Sequence, residues 1–178
     1  KLATLTEFVQ EPRFHLLRTN LSTMHAGLFA LELTEGFCEQ YDPHPTLFDS
    51  LTESLEKLSQ CHSNTSVLKE LIRYQTVLLK EGGISPLLNA CTNCGLAMTP
   101  DWPGLYFSST ANGLLCPGCE QSYTEKRSLS PLCAAILDGT SPIEDTSEAL
   151  LNEAERLLIY HFTELMHRPP KMAKFFIL

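Results

Sequence analysis

Two cysteine pairs, Cys91-Thr92-Asn93-Cys94 and Cys116-Pro117-Gly118-Cys119, are separated by 21 residues. Pairs of this kind bring together four soft thiolates, the donor set of a tetrahedral zinc ion. The interval is slightly longer than usual for a four-cysteine site, but its contents support the reading. Gly95 follows the first pair, where a knuckle turn favours a residue that accepts positive φ. Leu105-Tyr106-Phe107-Ser108 reads as a strand, Asn112-Gly113 as a tight hairpin turn, and Leu114-Leu115 as the lead into the second pair. The pattern predicts a zinc ribbon in which Cys91, Cys94, Cys116 and Cys119 hold Zn2+, in preference to disulfides or a redox dithiol.

A closed four-cysteine site is structural. A catalytic zinc leaves one position for water and has a base beside it. Zinc deaminases carry His-x-Glu and Pro-Cys-x-x-Cys. None of the six histidines here has Glu two positions on, and Leu115 precedes Cys116. Cys61-His62 is the one adjacent thiol–imidazole pair, but loop neighbours in sequence rarely face each other and no orienting partner is evident. A phosphate-cradling Gly-x-x-x-x-Gly-Lys loop is also absent. The expectation is a protein without catalysis.

The remaining cysteines are Cys38, Cys61 and Cys133, and the odd total of seven points to a reducing, cytoplasmic setting. Cys38 and Cys133 lie in apolar helical contexts, whereas Cys61 lies in a polar loop. No apolar run approaches the ~20 residues of a membrane span. The net charge of −8 is unevenly placed. Thr19 to Glu56 holds seven acidic residues and no Lys or Arg, and Ser128 to Glu155 holds six with none. Such runs are expected to be solvated helix faces. Leu165 to Leu178 reverses the sign with Arg168, Lys171 and Lys174.

The elements that must position the thiolates read as helices on either side of them. Leu2 to Val9 alternates like a strand ended by Pro12. Leu21 to Glu39 is helical with two apolar stripes, Met24/Leu28/Leu31/Cys38 and Phe29/Leu33/Phe37, which predicts burial on most of its circumference. After the Asp42-Pro43-His44-Pro45 break, Thr46 to Gln60 forms a helix with a narrow stripe of Phe48, Leu51, Leu55 and Leu58. A third helix spans Ser66 to Lys80, with Leu68, Leu71, Ile72 and Leu79 inward and Gly82-Gly83 as its stop. Ser85-Pro86 reads as an N-cap and first turn leading into Cys91. Beyond the second pair, Ser130-Pro131 starts a short helix ending at Gly139, and a long one runs from Thr146 to His167. The long helix turns Leu150, Leu151, Ala154, Leu157, Leu158, Phe162 and Leu165 inward, with His161 on the same side as a packed core histidine. The predicted fold class is mainly α: an antiparallel helical bundle over residues 13–178, with a zinc ribbon inserted at 88–127.

Several stretches resemble the bacterial RecO family of recombination and DNA-repair mediators. Phe8 to Leu31 is similar to that family's passage from an amino-terminal OB-fold into the first bundle helix, and Leu47-Phe48-Asp49-Ser50-Leu51 to its second helix opening. Gly83-Ile84-Ser85-Pro86-Leu87-Leu88-Asn89-Ala90 followed by Cys91-Thr92-Asn93-Cys94-Gly95 is the most specific match. Phe107, Gly113-Leu114-Leu115-Cys116, Cys119, Leu129-Ser130-Pro131 and Lys171-Met172-Ala173-Lys174-Phe175 continue the likeness. The resemblance implies a mediator of gap and break repair. Such a protein binds single-stranded DNA, engages the single-stranded-DNA-binding protein and a RecR-like partner, helps load the recombinase and anneals strands. It also implies that residues 1–12 are the last strand of an OB-fold whose remainder is absent, so that single-stranded DNA is bound mainly through that missing domain. On this reading the apolar groove of the bundle takes partner peptides, and Arg168, Lys171 and Lys174 meet phosphate or an acidic partner tail. The acidic balance favours an alternative, a structural zinc-ribbon interaction module without nucleic-acid binding. In that case Trp102, Tyr106 and Phe107 would form its contact patch, against the reading in which Tyr106 and Phe107 pack the ribbon onto the bundle.

Overall fold

Helix ends in this chain follow local capping chemistry. The computed structural model describes residues 4, 6, 7, 9, 13–39, 41, 43–99 and 101–176. Helix α1 (Leu21–Phe37) starts where the Asn20 side chain accepts from the Ser22 N–H at 2.8 Å. Helix α2 (Pro45–Ser59) opens on a proline, whose missing N–H costs nothing at that position. Helix α3 (Asn64–Glu81) has a capping box made by Ser63 and Ser66 and ends at Gly82, with Gly83 at φ 66°. Helix α4 (Pro131–Asp138) lies between the Ser130 cap and left-handed Gly139. Helix α5 (Glu148–Met166) starts at Ser147, whose hydroxyl accepts from the Leu150 N–H.

Helix α3 is central, packing against α1, α2 and α5. It buries Val67, Leu68, Leu71, Ile72, Tyr74, Leu78 and Leu79, each worth about 1.5–3 kcal/mol of transfer free energy. Phe29 and Leu33 of α1, Leu58 of α2 and Leu151 and Phe162 of α5 complete the same core. A four-stranded sheet joins it, built from β1 (Leu87–Cys91), β2 (Tyr106–Ser108), β3 (Gly113–Leu115) and β4 (Arg127–Ser128) in the order β1-β3-β2-β4. β1 runs parallel to β3, while β2 is antiparallel to both β3 and β4.

Three expectations are corrected. Ser85-Pro86 does not open a helix: Leu87–Cys91 is strand, because pairing with β3 supplies backbone partners that a five-residue helix could not. On α1 only the Phe29/Leu33 side is covered, and Leu28 and Leu31 face solvent, each 45% exposed. On α2 the inward residue of the first turn is Leu47, while Phe48 is 69% exposed. The strand expected over Leu2 to Val9, and with it the 1–12 assignment, falls largely outside the described residues.

The sheet is fastened to α5 by one buried aromatic and one polar relay. Phe107 is buried and meets the rings of Tyr160 and His161 edge-on at 6.3 and 5.2 Å. It therefore packs the sheet onto the helices and is not an exposed contact residue. His161 Nδ1 lies 2.7 Å from the Ser109 hydroxyl, and the Glu125 carboxylate accepts from the Ser108 hydroxyl and from the Ser109 and Thr110 N–H groups. Burial lowers the His161 pKa to about 4 against the opposing pull of Glu125, so the ring is neutral at physiological pH. The expected core role of His161 holds.

Candidate metal centre

The first cysteine pair sits at the end of β1 and the second directly after β3, so the pairing of these strands brings the two knuckles together. The Cys91 N–H donates to the Leu96 carbonyl at 2.8 Å, and the Thr92 N–H to the Leu114 carbonyl at 2.8 Å. In the first knuckle the Gly95 N–H returns to the Cys91 carbonyl with Gly95 at φ 75°. In the second, the Cys119 and Glu120 N–H groups return to the Cys116 carbonyl. Gly113 is required by close approach. A Cβ there would stand 2.3 Å from the Leu87 carbonyl oxygen, and the residue has φ 151°.

All four Sγ atoms lie within 4.8 Å of one another, with Cys94 and Cys116 3.8 Å apart. Sulfurs placed about 2.3 Å from a zinc ion at tetrahedral angles are separated by about 3.8 Å. None of the four is in a disulfide. Cys91 and Cys116 are buried, Cys119 is half-buried and Cys94 is exposed. The donor chemistry and spacing therefore fit a zinc-sized ion, and the four cysteines leave no ligand position that a water would have to fill.

The electrostatics point the same way. Burial pushes the Cys91 thiol up, but backbone N–H groups of Cys116, Cys94 and Asn93 outweigh it and bring the pKa down to about 6. At Cys119 the Asn93 amide favours the thiolate, yet crowding by Cys116, burial and the other sulfurs raise the thiol to about 11. Cys94 is also raised, the Leu96 N–H being outweighed by neighbouring sulfurs and burial. One thiolate is thus easy to form and the next are opposed by it, a situation that a divalent cation reverses.

Sequence reasoning passed over Asn93. Its Nδ2 donates to Cys119 Sγ at 3.3 Å, and its Oδ1 accepts from the Tyr123 hydroxyl at 3.2 Å. It therefore links the two knuckles from outside the ligand set. An amide between two cysteines is the only sequence signal for this role. Tyr106 lies half-buried under the Lys126 ammonium, and Trp102 packs against the core.

Arg168, Lys171 and Lys174 are all exposed and follow α5, and no hydrogen bond or ion pair among the described residues joins them to the cysteines. Lys171 and Lys174 stand on the turn Lys171–Phe175, which docks on α1, and Arg168 lies in the link between α5 and that turn. The Lys171 and Met172 N–H groups donate to Glu32 at 2.7 and 2.9 Å, and Phe175 stacks on His25 with ring centroids 3.7 Å apart. Cys61 is no activated nucleophile: its thiol donates to the Lys57 carbonyl at 3.4 Å, and burial raises its pKa.

Residues 18–172 match the family described as Recombination protein O C terminal. The chain belongs to the RecO family. Curated relatives agree. The DNA repair protein RecO of Rhodopirellula baltica is 29% identical over 121 residues, covering 68% of this chain and 44% of that protein. The RecO of a Synechococcus species is 30% identical over 106 residues, covering 60% and 34%. The RecO of a Roseiflexus species is 26% identical over 170 residues, covering 92% and 58%. The chain thus spans between about a third and three fifths of these relatives' length. Among the described residues no helix is long and apolar enough to cross a membrane.

Proposed function

We propose that this chain is the helical, metal-binding part of a non-catalytic mediator of DNA repair and homologous recombination. Through partner proteins and single-stranded DNA, such a mediator helps load a recombinase and anneal strands. The observation that carries the proposal is membership of the RecO family across residues 18–172. In this reading the helices form an antiparallel bundle, with residues 88–127 inserted as a zinc ribbon. Cys91, Cys94, Cys116 and Cys119 hold the ion, and the bound ion supplies a cross-link between two loops. The bundle also offers a cavity of about 420 Å³ between α3, α4, α5 and β1, with Ile72, Leu79, Leu88 and Ile136 in its wall and Lys80 at its edge. It suits an apolar side chain of a partner peptide. A RecR-like protein and the single-stranded-DNA-binding protein are the proposed partners.

Arg168, Lys171 and Lys174 are the proposed phosphate contacts. If all three neutralise phosphates on single-stranded DNA, replacing them with alanine should flatten the log affinity against log salt plot by about 2 (roughly 0.7 per contact). Fluorescence anisotropy of labelled single strands with the zinc-loaded chain reads this. An unchanged slope removes the three residues from the proposal. The net charge of −8 favours the second reading, a protein-interaction module without nucleic-acid binding. No binding of single strands at low salt, together with retained binding of partner proteins, would select it.

A further inference from the structure

The uncovered side of α1 has its own chemistry. Leu21, Met24, Leu28 and Leu31 recur at three- and four-residue steps, the spacing of a helix seam. Leu21 is 66% exposed, and Leu28 and Leu31 45% each. Beyond the helix end, Tyr41 is 93% exposed, and Phe48 opens α2 at 69%. Leu55 packs over Gly27 of α1, and Phe48 lies two turns earlier on the same side of α2, so it borders the same helix. Large apolar residues gathered on one segment of the surface mark an interaction face and not ordinary exposure.

Charge specifies what fits it. Glu35, Glu39 and Asp49 are exposed and make no hydrogen bond or ion pair among the described residues. No Lys or Arg occurs between Thr19 and Glu56. Glu35 and Glu39 also stand at the C-terminal end of α1, where the helix dipole is already negative and the last turn holds no basic residue. The arrangement is unfavourable in the free chain and is relieved by cations brought from outside. The Lys171–Phe175 turn, held by Glu32 and His25 four residues on from Leu28 and Leu21, runs along the edge of this face away from α2.

We propose that the face formed by Leu21, Leu28, Leu31 and Phe48, rimmed by Glu35 and Asp49, docks a protein partner presenting an apolar helical stripe bordered by Lys or Arg. The same carboxylates repel nucleic acid, so this face is separate from any DNA contact. The test uses two synthetic amphipathic helices with one leucine seam, one flanked by lysines and the other by glutamates, titrated into the full zinc-loaded chain by anisotropy. The lysine helix should bind at least roughly tenfold tighter than the glutamate helix. Leu28→Glu with Leu31→Glu should abolish its binding, and these exposed sites leave the core intact, as circular dichroism would verify. Glu35→Lys with Asp49→Lys should reverse the preference. Equal binding of both peptides, failure of both to bind, or insensitivity to the leucine changes overturns the proposal. Sedimentation that detects a dimer dissolved by Leu28→Glu would assign the face to a second copy of the chain and equally overturn it.

Discussion

Between α3 and α5, Glu155 is fully buried and accepts from Gln75 Nε2 at 2.9 Å through Oε1. Two atoms of this pair, Gln75 Oε1 and Glu155 Oε2, have no hydrogen-bond partner among the described residues. Both are acceptors when the acid is ionised, so a proton on Oε2 is the one addition that supplies a donor between them. Burial accordingly raises the Glu155 pKa to about 7, opposed only by the Gln75 amide, and no charged group acts on it. The folded state thus holds a proton that the unfolded chain, titrating near 4.5, releases earlier. Stability from this group is complete below about pH 4.5 and falls as pH rises towards 7, by about 3 kcal/mol in all. Glu155→Gln removes the titration and provides a permanent N–H donor. Urea midpoints of the two proteins should be similar at about pH 5, and at about pH 8 the variant should be the more stable by about 3 kcal/mol. Comparing the two at each pH cancels the pH dependence of the cysteine site, which they share. A difference that stays constant between the two pH values would refute the reasoning.

Chelation should remove one zinc per chain and unravel the knuckles, since structural zinc is worth ~10–16 kcal/mol in finger peptides. Metal analysis and amide exchange across residues 91–119 read the loss, and an equally protected apo chain would contradict it. Asn93→Leu should weaken metal affinity by about 10–100-fold without removing a ligand, as measured by competition with a zinc chelator dye. Gly113→Ala should destabilise the sheet because its methyl group meets the Leu87 carbonyl. A thermal midpoint within error of wild type would show that β1 can retreat freely. Phe107→Ala should cost about 3–5 kcal/mol in chemical denaturation, since this buried ring packs β2 against both Tyr160 and His161.

Local chemistry was readable in the sequence where one or two residues decide it. The cysteine spacing, Gly95 at positive φ, the Ser130 cap and the Gly82-Gly83 stop all appear where they were expected. Features that depend on a distant partner were not readable. Leu87–Cys91 looks like the start of a helix until Gly113–Leu115 is known to lie beside it. Glu155 belongs to an acidic run that reads as a solvated face, and only Gln75 from another helix makes its burial tolerable. Periodicity on α1 found two apolar stripes but could not say which one the fold covers, because both satisfy the same helical repeat. Leu47 and Phe48 are adjacent and both apolar, so a small rotation of α2 decides which one enters the core.

The polypeptide between α3 and α5, residues 82–147, contains the whole sheet and α4. Were that stretch slack, pairing the two helices would mean closing a long floppy ring, and each doubling of ring length adds about 0.6 kcal/mol of entropic cost. Folded around its sulfur cluster, it behaves as a short stiff bracket. Loss of the ion would therefore be felt by helices that never touch it, as a weakened embrace between α3 and α5 with every side-chain contact between them still available.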